Sequence, residues 1–476
     1  MRWAGCHGAR STVARTNGIP ALGSQAFLAA VSLAALGAGC VSPPPIAAQL
    51  RAGAAAVEIT PPAGSLLYGY GARGTNRSAG VHDALYARAL VLEAGGETVA
   101  LVTLDLGSIR KENTLPIRQA VLDAAGFDHV LLNASHTHSA PLFEADFPSA
   151  GSPWVEELEG KIVTVVLEAH ATLRPARVAV GWGRASEGHN RRRVLTDGSV
   201  EMFWRNRDRL PTAPLDESVG VLAVDGADGE AIATVVNFAV HPVILGPENM
   251  LVSADYPGAM AALVAERGGG VPMLLQGAAG DINPFWDKTP PAEGGFEQVR
   301  MAGERLGQEV LRVRADLAAA DAFHDPATLS VKRHLVTLEP RWDLASPVVE
   351  EGFRRHGLEA SLQRYRARFP REREAEVNTL VLGERGAGQF ALATFPGEFF
   401  VEHQLRLRAE AQVPHVFFAG YTNGELAYFP TIAAAAQGGY GGREATIVEV
   451  GAGEKLVDLA AISILEQAGW LHDAPP

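Results

Sequence analysis

The stretch "TVALVTLDLGSIRKENTLPIRQAVLDAAGFDHVLLNAS", residues 98–135, decides the fold. Its first part, TVALVTLDLG (98–107), is a near-continuous apolar run, as a strand covered on both faces must be. NTLPIRQAVLDAAG (113–126) has helical apolar spacing, and Gly126 stands where a left-handed C-cap falls. HVLLNAS (129–135) is a second buried strand. Two strands joined by a helical crossover run parallel, so the expectation is an α/β fold.

The same alternation continues outward. WVEELEGKIVTVVLEAHATL (154–173) reads as a helix and VGVLAVDGADGEAIATVVNFAV (219–240) as a hairpin turning at DGADGE. PMLLQG (272–277) is a buried strand, and residues 296–320 form a long amphipathic helix. Residues 378–397 read as another hairpin, HVFFAGYTNG (415–424) as a strand entering a loop, and VDLAAISILEQAG (457–469) as a closing helix. No repeat occurs at the periods of solenoids or propellers. With no Ser/Gly-rich linker after residue 50, a single large mixed α/β domain over 54–476 is expected.

Composition narrows the class. The 476 residues are 47% hydrophobic and 20% charged, enough to bury a sizeable core. A net charge of −13 argues against nucleic acid as a partner, because phosphate binding needs a basic face. At the N-terminus, Arg2, Arg10 and Arg15 precede the apolar run AFLAAVSLAALGAGC, which ends at Cys40 and is followed by VSPPP. That pattern predicts an export signal over 1–40 and a linker over 41–53. The run is too short for a comfortable membrane span. Cys6 and Cys40 are the only cysteines, so a mature chain would hold no disulfide. LGAGC resembles a bacterial lipoprotein box, which makes Cys40 a candidate for lipidation and peripheral membrane attachment; simple cleavage nearby is the alternative. Either route predicts a periplasmic, cell-envelope or secreted protein.

Unusual polar residues fall just past strand ends. His136 and His138 follow the strand ending near Asn133, and His241 follows TVVNFAV. GAAGDINP (277–284) follows MLLQ, Glu398 follows FALAT, and GYTNGELAYFP (420–430) follows HVFFA. Ligands in open α/β sheets bind outside the carboxyl ends of the strands. Two histidines and a glutamate from distant loops are donors of the kind a catalytic zinc takes. Taken singly, His241 reads as a structural histidine, His-Thr-His as the lining of a polar pocket, and Glu398 as a first-turn helix carboxylate. Together they point to a metal. A serine hydrolase is excluded by the absence of a G-x-S-x-G elbow.

These segments carry a resemblance. SHTHSAP (135–141), NFAVHPVILG…NMLVSADYPG (237–258), GAAGDINP, FPGEF (395–399) and YTNGELAYFPT…GGYGGREAT (421–446) resemble, in order, the neutral/alkaline non-lysosomal ceramidase family in its N-terminal catalytic domain. VEITPPAG…GYGARG and VHDALYARALVL are similar to it as well. The resemblance implies a zinc amidohydrolase that splits the amide of an N-acyl sphingoid base. It implies Zn²⁺ on His136, His241, Glu398 and Tyr428. Tyr428 is chosen because Tyr440 follows twelve residues later, as the family's second tyrosine does; Tyr421 competes for the role. His138 becomes the general acid for the leaving amine, and Tyr440 or Arg191 the oxyanion partner. Arg192 and Arg193 leave the register of Arg191 open, and a solvated arginine face is the alternative. Asp281 either orients a metal-bound histidine or caps the turn before Pro284.

One departure matters. The family carries Ser where this chain has Asn283, and a carboxamide is no nucleophile. That opens two alternatives: a zinc hydrolase of the same fold acting on a different amide or an ester, or a binding protein with a degenerate site. The family's C-terminal immunoglobulin-like β-sandwich has no visible counterpart before Pro476, and its absence is expected.

Overall fold

The structure is a computed structural model that describes residues 49–143, 153–355, 357–368 and 374–471. The export signal, both cysteines and residues 41–48 of the linker lie outside the described residues.

One unit occurs three times: three antiparallel strands, a helix, a strand parallel to the third, and a second helix. The first unit has strands Arg51–Glu58, Tyr86–Ala94 and Glu97–Leu104, helix Lys111–Ala125, strand Val130–Ala134 and helix Pro153–Ala171. Its second copy has strands Arg174–Arg184, Ser218–Gly226 and Ala231–Phe238, helix Asp255–Glu266, strand Val271–Gln276 and helix Gly295–Ala319. In the third, the strands are Leu329–Thr337, Glu374–Leu382 and Phe390–Thr394, the helix Val401–Glu410, the last strand His415–Ala419 and the last helix Ala452–Gln467. In each copy the fourth strand pairs in parallel with the third. The repeat is far longer than a solenoid period, and its loops differ in length, so the linear sequence hides it.

The first two copies share an eight-stranded sheet, joined where Ala52 pairs with Arg174; the third forms a separate four-stranded sheet. A common core binds all three, with Leu92, Leu131, Leu222, Met273, Leu380 and Phe417 in one apolar cluster. Fully burying such side chains is worth about 1.5–3 kcal/mol each. The packing is tight: a Cβ at Gly220 would lie 2.4 Å from the ring of Phe417. Among the described residues, no helix is long and apolar enough to cross a membrane.

Helix 111–125 ends where the sequence predicts, with Gly126 at φ 82 and its N–H on Leu122 O at 2.9 Å. The strand Arg51–Glu58 begins three residues before the domain boundary expected at 54, and Leu50 is already buried. Of the twelve strands in the two large sheets, four were not foreseen: 51–58, 86–94, 174–184 and 329–337. The last, LSVKRHLVT, mixes charges with apolar residues because part of it faces solvent.

A buried polar bridge sets the third unit against the first. Arg118 donates to both oxygens of Glu376 at 3.0 and 2.7 Å. Asn423 donates to the same carboxylate at 2.9 Å and accepts from the Leu132 N–H at 2.8 Å. The loop after strand 415–419 is thereby anchored on strand 130–134.

Candidate active site

Because the third and fourth strands of each unit are parallel, their C-terminal ends lie side by side. The loops leaving those ends meet. The first unit contributes His136 and His138, the second His241, Asp281 and Asn283, and the third Glu398, Tyr421 and Tyr428.

His136 is held in a left-handed conformation, φ 67, with its Nδ1 on Gly107 O at 2.7 Å. The Nδ1 of His241 rests on Ala279 O and, at 3.3 Å, on Ile282 O. A carbonyl only accepts, so each Nδ1 carries the proton and each Nε2 presents a lone pair. Both Nε2 atoms face one carboxylate oxygen: Glu398 Oε2 lies 3.3 Å from His136 and 3.1 Å from His241. Three acceptors converging in a buried site call for positive charge between them, a proton or a metal ion. Without a metal the group shares positive charge: burial opposes both ionised forms, yet Glu398 raises His136, and His136 and His241 hold the Glu398 carboxyl well below its usual range. Burial is the first cause that lowers His241, to about 4, which keeps it neutral as a ligand must be. Imidazole nitrogen and carboxylate oxygen braced by backbone carbonyls are a donor set that fits zinc or a similar divalent ion.

His138 belongs to the same cluster on different terms. Its Nε2 is 3.3 Å from that of His136, and the ligand atoms of His136, His138 and His241 all lie within 4.8 Å of one another. Its Nδ1, however, is buried without a partner. The rings of Tyr70 and Tyr68 pack edge-on against it, with centroids 4.9 and 5.6 Å away. Burial, then the two neighbouring imidazoles, hold it well below the usual histidine range. His136, His138 and His241 together are close enough to hold a metal ion, and of the three only His138 lacks a carbonyl on its Nδ1.

Of the arginine triplet, Arg191 enters the site. It donates to Asn283 Oδ1 at 3.0 Å, to Gly280 O at 2.6 Å and to the Tyr428 hydroxyl at 3.2 Å. Arg192 turns to Gly438 O, and Arg193 is exposed beside Glu201. Tyr428 forms a short parallel bridge with Glu398, and the Tyr440 ring lies 5.4 Å from that of Tyr428. Tyr421 sits closer to the histidines, its ring 4.3 Å from His136 and its buried hydroxyl unpartnered. Both tyrosines therefore border the donor cluster.

Asp281 fills neither of its two expected roles, orienting a histidine or capping the turn before Pro284. Its oxygens take the Asn190 amide at 2.7 Å and the Val401 N–H at 2.9 Å, so it secures the start of helix 401–410 and orients no histidine. Backbone carbonyls do that work. Glu425 was missed, although it lies in the quoted loop. It is a carboxyl with one oxygen on the Ala427 N–H and the other buried and unpartnered. Burial, then Glu398, push it up to about 7. Only the fold, which turns Glu425 inward, marks it. A cavity of about 610 Å³ lies elsewhere, lined by Val180, His324, Asp325 and His415, and contains none of these donors.

Fold and site together define a mixed α/β protein with a buried histidine–carboxylate centre at its strand ends. Residues 50–278 match the model of the neutral/alkaline non-lysosomal ceramidase family, N-terminal. The neutral ceramidase of Pseudomonas aeruginosa is 25% identical over 426 residues, covering 75% of this chain and 63% of the relative. Neutral ceramidase A of Dictyostelium discoideum is 24% identical over 229 residues, 43% of this chain and 32% of that protein. The chain thus spans less than two thirds of these relatives. The crystal structure of the Pseudomonas aeruginosa neutral ceramidase superposes with a TM-score of 0.70 at 21% identity, over 90% of this chain and 77% of that one. A structure described as ceramidase complexed with C2 gives 0.69 with the same coverage. The α/β architecture is that of these proteins.

Proposed function

We propose that the chain is an exported, zinc-dependent amidohydrolase that cleaves the amide of an N-acyl, ceramide-like lipid. The observation that carries the reading is the convergence of His136 Nε2, His241 Nε2 and Glu398 Oε2, three metal-donor atoms from three distant segments. The family match over 50–278 and the names of the relatives support the substrate class.

His136, His241 and Glu398 would hold the zinc, with Tyr428 or Tyr421 as the further oxygen donor. Bound there, zinc acidifies water toward a pKa of about 7 and polarises a carbonyl. The chain's own residues do the rest. His138 takes a proton at Nε2 from the attacking water and passes it to the leaving nitrogen. Arg191, kept in place by Gly280 O and Asn283, presents positive charge where the oxyanion develops, with Tyr440 beside it. The closed apolar surroundings strengthen both effects.

Asn283 favours a second reading, hydrolysis of a non-ceramide amide or an ester. Its carboxamide is committed to Arg191 and Asp287, where the family's hydroxyl would stand. The test is metal analysis of the purified chain joined to a substrate panel of N-acyl sphingosines, simpler N-acyl amines and esters. Stoichiometric zinc with fatty-acid release from N-acyl sphingosine is expected. Release from simple amides or esters alone selects the second reading, and a metal-free, inactive chain overturns both. Export predicts a processed protein outside the cytoplasm, with Cys40 as the site of any lipid anchor.

A further inference from the structure

We infer that Arg73 is a positioning residue: it locks segment 68–73 around the His138 imidazole and so fixes the direction in which that ring moves a proton. The inference rests on the amidohydrolase reading, in which His138 carries the proton, and adds the residue that aims it.

His138 has no hydrogen bond that orients its ring from behind. Its Nδ1 is buried without a partner, whereas the Nδ1 atoms of His136 and His241 rest on carbonyls. Such a ring changes rotamer unless packing holds it. Here the packing comes from three consecutive residues. Tyr68 and Tyr70 set their rings edge-on against the imidazole, at 5.6 and 4.9 Å between centroids. Gly69 passes between them, and a Cβ on it would lie 2.8 Å from His138 Cβ. Tyr70 is fixed at its far end, where its hydroxyl donates to Leu245 O at 3.1 Å.

These three residues lie near solvent, with Gly69 exposed and both tyrosines half-buried, so they need an anchor. Arg73, 3% exposed, is that anchor. Its Nη1 donates to Tyr68 O at 2.8 Å and to His138 O at 2.6 Å, and its Nη2 to Gly246 O at 3.2 Å. One nitrogen thus joins the start of the enclosing segment to the backbone of the residue it encloses. The other reaches the loop that follows His241. The guanidinium also lies over the Tyr70 ring, 4.9 Å from its centre. A tight turn places it there, with the Arg73 N–H on Tyr70 O at 3.1 Å and the Gly74 N–H on Gly71 O at 3.0 Å. By contrast the N–H of His138 stands 3.5 Å from Pro242 O, at the limit of a hydrogen bond. A guanidinium holds three carbonyls in one rigid plane; a lysine ammonium is a point charge on a flexible stem and does not. The carbonyl braces of His136 and His241, on Gly107 and Ala279, involve other residues, so the metal donors do not depend on Arg73.

The experiment is a double-mutant cycle. Metal-loaded wild type, Arg73→Lys, His138→Ala and the double variant are assayed on N-lauroylsphingosine and N-lauroylethanolamine, with zinc content measured by elemental analysis. Arg73→Lys is expected to keep its metal and its KM and to lose about ten- to a hundredfold in kcat, the scale of a small misplacement of a reacting group. The same change should have no further effect in the His138→Ala background, because Arg73 acts through that ring. Equal loss in both backgrounds, loss of metal, or no loss at all overturns the positioning role while the amidohydrolase reading stands. If wild type cleaves neither amide, that reading falls, and NMR of protein labelled with nitrogen-15 at histidine decides the positioning role. A shift or broadening in Arg73→Lys confined to the signal that His138→Ala removes upholds it. An unmoved signal, or a shift shared by all the histidines, overturns it. If Arg73→Lys does not fold, Tyr70→Leu, which strips one ring from His138 and leaves the carbonyl contacts of Arg73, takes its place in the same cycle with the same outcomes.

Discussion

His136 and His138 face each other through their Nε2 atoms at 3.3 Å, yet only His136 has its Nδ1 on a backbone carbonyl. The proposed division of roles rests on that asymmetry. His136→Ala and His241→Ala are expected to lose stoichiometric metal and all turnover. His138→Ala should keep its metal and lose about 10²–10⁴ in kcat, the usual contribution of a proton-transfer group. Elemental analysis beside steady-state rates checks this. Equal metal loss in all three variants would make His138 a ligand as well.

Gly69 crosses His138 so closely that a Cβ there would sit 2.3 Å from its Nδ1, and the backbone has φ +95. Gly69→Ala should push the ring out of line and strain the turn by about 1–3 kcal/mol. Metal content should be unchanged while turnover falls at least as far as in a partial loss of His138. Normal turnover in a folded Gly69→Ala protein would show that the ring position is not critical.

Asn283 holds Arg191 with its oxygen and Asp287 with its nitrogen, all three buried. Asn283→Ala leaves a buried guanidinium donor and a carboxylate oxygen short of partners, at about 1–3 kcal/mol. Asn283→Asp keeps the acceptor but sets a second carboxylate against Asp287, and should cost more at pH 7 than at pH 5. Denaturant unfolding of both variants at the two pH values measures the order.

Asp255 begins helix 255–266 at φ 56, accepting the N–H groups of Leu245 at 3.0 Å and Tyr256 at 2.7 Å. Burial pushes its carboxyl up to about 7, and Asp83 adds to the effect. The folded state therefore holds this proton more tightly than the unfolded chain does. Its contribution is present at low pH and is lost as pH rises toward and through 7. Wild type should lose on the order of 3 kcal/mol relative to Asp255→Asn between pH 5 and pH 8. Parallel slopes for the two proteins would refute it.

Much of this was legible in the chain itself. Period and punctuation mark the buried strands, the crossover helix 111–125 and its glycine stop, because a two-face-buried strand and a capped helix each leave a local signature. Position after a strand end singles out His136, His138, His241 and Glu398, because parallel strands present their loops at one edge. What was not legible is long-range. The threefold unit is invisible at short period, and strand 329–337 carries solvent-facing charges that mask it. Which arginine enters the site depends on side-chain direction along residues 191–193, which alternates on an extended chain. Asp281 was read as serving a histidine or the turn before Pro284, and only the approach of Val401 from far along the chain shows its partner. The burial of Glu425 beside Glu398 is likewise set by tertiary neighbours.

Sequence alone determined the donor types and their places after strand ends, since both are local facts. Tertiary structure decided the partition of roles: which histidine is braced and which is free, and which arginine faces inward. Those depend on distances between groups more than a hundred residues apart, such as His241 and Glu398, and no local rule encodes them.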